Sequence, residues 1–346
     1  MASDGRGAAA TAVLQLRGPK PITAWILLAS VSGVLVFAVR LLGLENHSSV
    51  QNFAIVFTAI AVEALPFVLL GAFISALMEV YVPDRAFARL SRLPVGLQLP
   101  AAAAGGFFFP VCECGSVPVA RRLIAKGLHP SAGLAFMIAA PIFNPVVLGS
   151  TWVAYEARGL GMEMSLGRAA LGLILALVAG WAMGGGRDAR LLKPGTEYRS
   201  HEHADASSCA PGEQKRQLLA AHLIGDFVYM GRFLVLGAAV AAAMQALVPQ
   251  NILSGAASSP LLATLALMVV AFASSLCSEA DAFVAVSFTP FPIGSQLAFL
   301  VFGPVLDFKL VFLYGAAFRN KMSASLALVA IPVTVAGSLW FEVLLR

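Results

Sequence analysis

Residues Leu65 to Pro83 read LPFVLLGAFISALMEVYVP, a stretch whose only charged side chain is Glu79. The second half of the chain repeats it. A shift of 166 positions pairs Phe67 with Phe233, Gly71 with Gly237, Met78 with Met244 and Pro83 with Pro249. A shift of 163 then pairs Cys114 with Cys277, Leu134-Ala135-Phe136 with Leu297-Ala298-Phe299, Pro141 with Pro304 and Asn144 with Asp307. The three-residue difference falls in the loop between the two blocks. Such a series points to internal duplication of an apolar unit.

The surrounding composition says which solvent that unit meets. Hydrophobic residues make up 59% of the chain and charged residues 12%, and the mean hydropathy is +0.84. Soluble domains carry about 25% charged residues. A spanning helix needs about 20 apolar residues. Open sheets cannot cross lipid, and the alternation of a barrel is absent. The fold class is therefore an all-α polytopic membrane protein. Its first apolar run, Ile22 to Leu44, is long enough to span and has no clear small-residue cleavage site, so it reads as a retained helix rather than a signal peptide.

Gln51 to Val82 follows, interrupted by Glu63 and Pro66, and then a basic loop with Arg85, Arg89 and Arg92. Leu97 to Val111 and Val117 to Ala125 are each too short to span comfortably and flank Cys112-Glu113-Cys114-Gly115. Together they read as a re-entrant hairpin. Ala132 to Ala154 can span, although Pro141 and Pro145 must break or kink it. Leu166 to Gly184 spans again. The second half runs through Leu218 to Val248, Pro260 to Leu276, Ala282 to Phe291, Gln296 to Phe318 and Ala324 to Leu345. This divides the chain into residues 1–50, a cytoplasmic N-terminus with the first helix; 51–186, the first repeat; 187–216, a polar linker; and 217–346, the second repeat.

Basic residues mark the cytoplasmic side. Arg6, Arg17 and Lys20, the Arg85 loop, Arg121-Arg122-Lys126, the linker and Arg319 with Lys321 all fall inside if the first hairpin dips in and returns. Each half then crosses three times, and the halves are inverted. The expected architecture is an inverted structural repeat of about seven transmembrane helices plus two re-entrant hairpins, in the plasma (inner) membrane. The alternative of 8–10 full spans would strand Arg121 and Arg122 on the wrong side.

Several polar residues stand out against this background. Cys112 and Cys114 lie at the tip of the first hairpin, and Cys277 takes the matching place in the second, with Glu279 and Asp281 just beyond. Thiolates suit Cu(I), Zn(II) or trivalent arsenic, and they can also serve as a redox dithiol. Buried cysteines are often plain packing residues, but Glu113 between them argues otherwise, because a carboxylate at membrane depth is costly. Asn144 and Asp307 follow Pro141 and Pro304 and can complete a polar site at a helix break, or merely satisfy the broken end. Glu63 and Arg232 are opposite charges at nearly equivalent depths of the two opening helices and invite an ion pair or a substrate contact. Gly71-x3-Ser75 and Gly237-x3-Ala241 permit close helix packing.

His201, His203 and Cys209 in the linker match no closed zinc site and read as part of a solvated segment. No phosphate loop and no hydrolase triad stands out, and the basic residues look topological rather than nucleic-acid binding. No cofactor is called for. The partners expected are the lipid bilayer and a small-molecule or ion substrate, and a homo-oligomer is compatible with the sequence.

Pro110-Val-Cys-Glu-Cys-Gly-Ser-Val-Pro118, Arg121-Arg122-Leu-x2-Lys-Gly127 and Ala140-Pro-x2-Asn-Pro145 together resemble the predicted permease family of YraQ-like proteins, related to the organoarsenical efflux permeases. Ser275-Leu-Cys-Ser-Glu-Ala-Asp-Ala282 and Phe302-Gly-Pro-x2-Asp307 are similar to it in the second half. The resemblance covers most of residues 51–346. Some branches have Cys-Ser-Cys where this chain has Cys112-Glu113-Cys114. The resemblance implies a secondary permease, not an enzyme, exporting a soft metal or metalloid species. Cys112, Cys114 and Cys277 would be its ligands, for a metal among other soft species, with Glu113, Asn144, Glu279, Asp281 and Asp307 completing the site. A membrane thiol redox enzyme, a permease for another small solute, and a membrane sensor or scaffold are the rivals.

Overall fold

The computed structural model describes residues 48–81, 93–109, 111–184, 211–247, 259–319 and 321–345. The expected first helix at Ile22 to Leu44, most of the linker with His201, His203 and Cys209, and the Arg85 loop lie outside the described residues. Two compact units divide the chain, Met1–Gln51 and Asn52–Arg346. The second holds everything that follows except the first residues of α1.

Among the described residues there is no β-strand, and the elements are helices. In the first half they are α1 (Ser48–Tyr81), α2 (Val95–Phe108), α3 (Glu113–Ala125), α4 (Pro130–Ala139), α5 (Pro145–Glu156) and α6 (Gly161–Gly184). In the second half they are α7 (Pro211–Leu247), α8 (Pro260–Ser274), α9 (Asp281–Ala285), α10 (Ile293–Phe302), α11 (Phe308–Ala317) and α12 (Met322–Leu344). The bounds of α4 and α10 differ by 163 positions, the same offset that aligns their sequences.

Among the described residues four helices are long and apolar enough to cross a bilayer: Val50–Tyr81, Gly161–Gly184, Lys215–Ala243 and Met322–Leu344. At the helical rise of 1.5 Å per residue, the 24 residues of α6 span about 36 Å against a hydrocarbon core of about 30 Å. Two other expected crossings are not continuous. Ala132 to Ala154 is split into α4 and α5, and Gln296 to Phe318 into α10 and α11. The cause is local. Pro141 and Pro145 remove backbone donors in the first case and Pro304 in the second. Asn144 and Asp307 then restart the chain as caps, Asn144 Oδ1 accepting from Val146 N at 2.9 Å and Asp307 Oδ1 from Leu310 N at 2.7 Å. The segments expected to form the two hairpins hold α2 with α3 and α8 with α9, the first pair ending and restarting at Phe108 and Glu113, the second at Ser274 and Asp281.

The core sits around the two short helices α4 and α10. Residues 131–139 and 294–302 are buried throughout, as a helix apolar on every side must be. α4 packs on α2 and α6, while α10 packs on α8 and α12, so the same three-helix contact occurs once in each half. Glycines permit the approach. A Cβ on Gly106 would meet Ala140 N and Cα at 2.8 Å, and one on Gly180 would meet Ser131 O at 2.7 Å.

Candidate functional site

Two backbone breaks, one from each half, place their side chains at one buried point. The first is the turn into α3. Val111 follows the end of α2, Cys112 is the N-cap with ψ 176°, and Glu113 and Cys114 open the helix. The second follows α8, whose last turn closes on Ser275 in the left-handed conformation, φ +48°. The chain then runs irregularly through Leu276 and Cys277 to α9. A non-glycine residue held at positive φ is uncommon, and here it turns the Ser275 and Leu276 carbonyls toward α11.

Cys112, Glu113 and Cys277 each offer one ligand atom, and these atoms lie within 4.8 Å of one another. All three residues are buried, at 1%, 1% and 3% exposure, and the thiols are free. Cys114 is buried beside Cys112, and Glu63 and Glu279 lie beside Cys277. The sulfurs therefore come from both halves.

Charge surrounds them. Glu113 Oε1 is 2.8 Å from Lys309 Nζ, and Glu113 Oε2 accepts from Ser278 Oγ at 3.0 Å. Lys309 also donates to the carbonyls of Ser275 at 3.0 Å and Leu276 at 3.3 Å, and stands 3.5 Å from Asp307 Oδ2. Behind them Arg168 of α6 forms a two-pronged pair with Asp281, at 2.9 Å to Oδ1 and 2.8 Å to Oδ2. The same guanidinium donates to Ser278 O at 3.1 Å and Thr151 Oγ1 at 2.8 Å. Ser278 thus joins the two ion pairs. Among the described residues of this cluster Glu63, Glu113, Glu279, Asp281 and Asp307 gather around two cations, Lys309 and Arg168.

The expected site residues fare differently. Cys112, Glu113, Cys114, Cys277, Glu279, Asp281 and Asp307 are brought into one cluster. Asn144 has its side-chain oxygen engaged in capping α5. Glu63 lies against Cys277, whereas Arg232 stacks over the rings of Tyr229 and Phe233, at 4.5 and 4.8 Å from their centroids. Among the described residues no ion pair joins Glu63 to Arg232. A guanidinium on its own helix finds an aromatic face within one turn, and that local contact takes the place of the long-range one.

Lys309, Arg168 and Ser278 were not singled out from sequence. The only signal for the first two was a lone cation inside an apolar run, which topology alone also explains. A second polar cluster was marked in sequence only through Arg122, as a charge of the cytoplasmic side, and not as a network. Arg122 reaches Asp226 at 2.6 Å and Glu79 at 3.0 Å, and Ser75 Oγ donates to Asp226 at 3.1 Å. This network ties α1, α3 and α7 together.

A family model described as a predicted permease matches residues 49–342. The chain is similar to the UPF0718 protein YcgR of Bacillus subtilis (strain 168), 36% identical over 295 residues, which covers 85% of this chain and 98% of the relative. It is also similar to a Streptococcus mutans protein named "Putative two-component membrane permease complex subunit", 36% identical over 283 residues, 80% of this chain and 91% of that one. No solved structure matches it.

Proposed function

The chain belongs to this predicted permease family, and we propose that it is a secondary permease that exports a soft metal ion or a metalloid species such as an organoarsenical. The observation that carries this reading is the meeting of Cys112, Glu113 and Cys277, buried and within 4.8 Å. Two sulfurs and a carboxylate suit a soft cation or a trivalent arsenic centre better than a hard one. The excess of carboxylates over cations around them favours a positively charged guest, since uncompensated buried charge is costly.

The multi-pass helical architecture supplies the rest. In this reading the two halves are inverted repeats, the turns into α3 at Cys112 and out of α8 at Ser275 are re-entrant tips, and rocking of one half against the other alternates access to the cluster. The N-terminus faces the cytoplasm of a plasma (inner) membrane, and the substrate leaves the cell.

The test is flux through the purified chain in proteoliposomes, over a panel of Zn(II), Cu(I), arsenite and a trivalent methylarsenical. The wild type moves at least one member. Cys112→Ser and Cys277→Ser each lower that flux by about tenfold or more, the effect of losing about 1.4 kcal/mol of ligand binding. Unchanged flux in both variants, or no flux of any panel member in the wild type, rejects the thiol-ligand reading.

A further inference from the structure

Lys309 is the second residue of α11, its side chain 2% exposed. Its ammonium lies among four oxygens: Glu113 Oε1 at 2.8 Å, Asp307 Oδ2 at 3.5 Å, Ser275 O at 3.0 Å and Leu276 O at 3.3 Å. Two are carboxylate oxygens and two are carbonyls released by the left-handed break at Ser275. Asp307 Oδ1 is engaged by Leu310 N, while Oδ2 is buried with no hydrogen-bond partner and lies 3.5 Å from the ammonium. At 3.5 Å that contact is longer than a usual charged hydrogen bond. The arrangement is a cage of hard oxygen ligands around a positive charge, built at an interrupted helix, where membrane proteins place small cations.

We propose that these four oxygens form a monovalent-cation site whose resident occupant is the protein's own ammonium, and that Lys309 is thereby the residue that keeps sodium and potassium ions out of the permease. A carboxylate-lined cluster would otherwise fill with alkali ions, which outnumber soft metals greatly in any cell. A tethered ammonium competes at a high effective concentration without entering from solution. A soft guest evades this competition because Cys112 and Cys277 supply ligands for which alkali ions have little affinity. As the guest draws on Glu113, the ammonium keeps Asp307 and the two carbonyls. The inference rests on the permease reading for its consequence in transport, while the ion site itself stands on the geometry around Lys309.

The test compares the full-length wild type, Lys309→Met and Lys309→Arg in proteoliposomes, with uptake of radioactive sodium and rubidium as the readout. Lys309→Met takes up about tenfold more alkali ion than the other two, as loss of a tethered competitor requires. Adding Asp307→Asn to Lys309→Met returns uptake to background. A Lys309→Met protein that elutes as the wild type does and takes up no more sodium or rubidium overturns the proposal.

If Lys309→Met does not fold, Lys309→Ala is solubilised and its thermal unfolding followed in ethylammonium or choline chloride at equal ionic strength. A higher midpoint with ethylammonium alone supports the site, and equal midpoints overturn it. The two readings fail separately. Alkali uptake by Lys309→Met with no soft-ion flux in the wild type removes the proposed substrate and leaves the cation site. Soft-ion flux with alkali uptake unchanged does the reverse.

Discussion

Arg168 shows what a buried charge demands in this protein. Its side chain is 0% exposed, and Asp281 opposite is 4% exposed. The guanidinium spends its donors on both carboxylate oxygens, a carbonyl and a hydroxyl. Its planar fork matches a carboxylate in a way that a lysine cannot. Arg168→Met leaves Asp281 and the Ser278 carbonyl without their partner, and breaking a buried pair costs about 3 to 5 kcal/mol. The expected result is a large drop in the thermal midpoint of the solubilised protein. Arg168→Met with Asp281→Leu recovers most of that drop, because neither charge is then buried alone; failure to recover would show that the pair does more than balance charge. In sequence, Asp281 was conspicuous as a carboxylate beside Cys277. Arg168 was not, since its partner lies 113 positions away in the other half and no periodicity links them.

At the scale of helices, the site is closed by two glycine contacts, one from each opening helix. A Cβ on Gly71 of α1 would collide with the backbone of Gly115, next to Cys114. One on Gly237 of α7 would come within 2.5 Å of the Lys309 Cα. These glycines are the pair that the 166-position shift aligns, and their small-xxx-small spacing was legible as a packing signal. What they pack against was not legible, because α3 and α11 are not equivalent elements of the two halves. Gly237→Ala forces α7 away from α11 at Lys309, and overpacking of this kind costs about 1 to 3 kcal/mol. Gly231→Ala on the same helix meets nothing within 4 Å and gains up to about 1 kcal/mol of helix propensity. Thermal unfolding of the two variants should therefore move in opposite directions. The helix breaks divide similarly. The prolines announced them, and Asn144 and Asp307 were rightly placed beside them, but which helix each cap opens depends on the bonds to Val146 and Leu310.

In the whole molecule the sequence pattern points to two related halves, but the strongest polar links run between the halves rather than within them. Glu113 is paired with Lys309, Arg168 with Asp281 and Arg122 with Asp226. Tyr155 Oη donates to Gln296 Oε1 at 2.9 Å, and Ser278 donates to Glu113. Each of these contacts joins a residue before the linker to one after it. No single-half pattern could reveal them, because a charge facing the other repeat looks the same in sequence as one facing lipid or water. They add to the apolar contacts of the main core, which draws residues from both halves, and residues 52–346 form one compact unit. The covalent connection at 187–216 is then not what holds the halves together. Co-expressing residues 1–200 and 201–346 as separate chains, with an affinity tag on the first only, should recover both in one complex. Adding Glu113→Gln, Arg122→Gln and Asp281→Asn together removes one partner from each of the three ion pairs, and breaking a buried pair costs several kcal/mol, less at Lys309, which keeps Asp307, and at Asp226, which keeps Ser75. The triple variant should lose the untagged half while the uncut triple variant still reaches the membrane. Recovery of the untagged half at wild-type levels would instead mean that apolar packing alone joins the repeats.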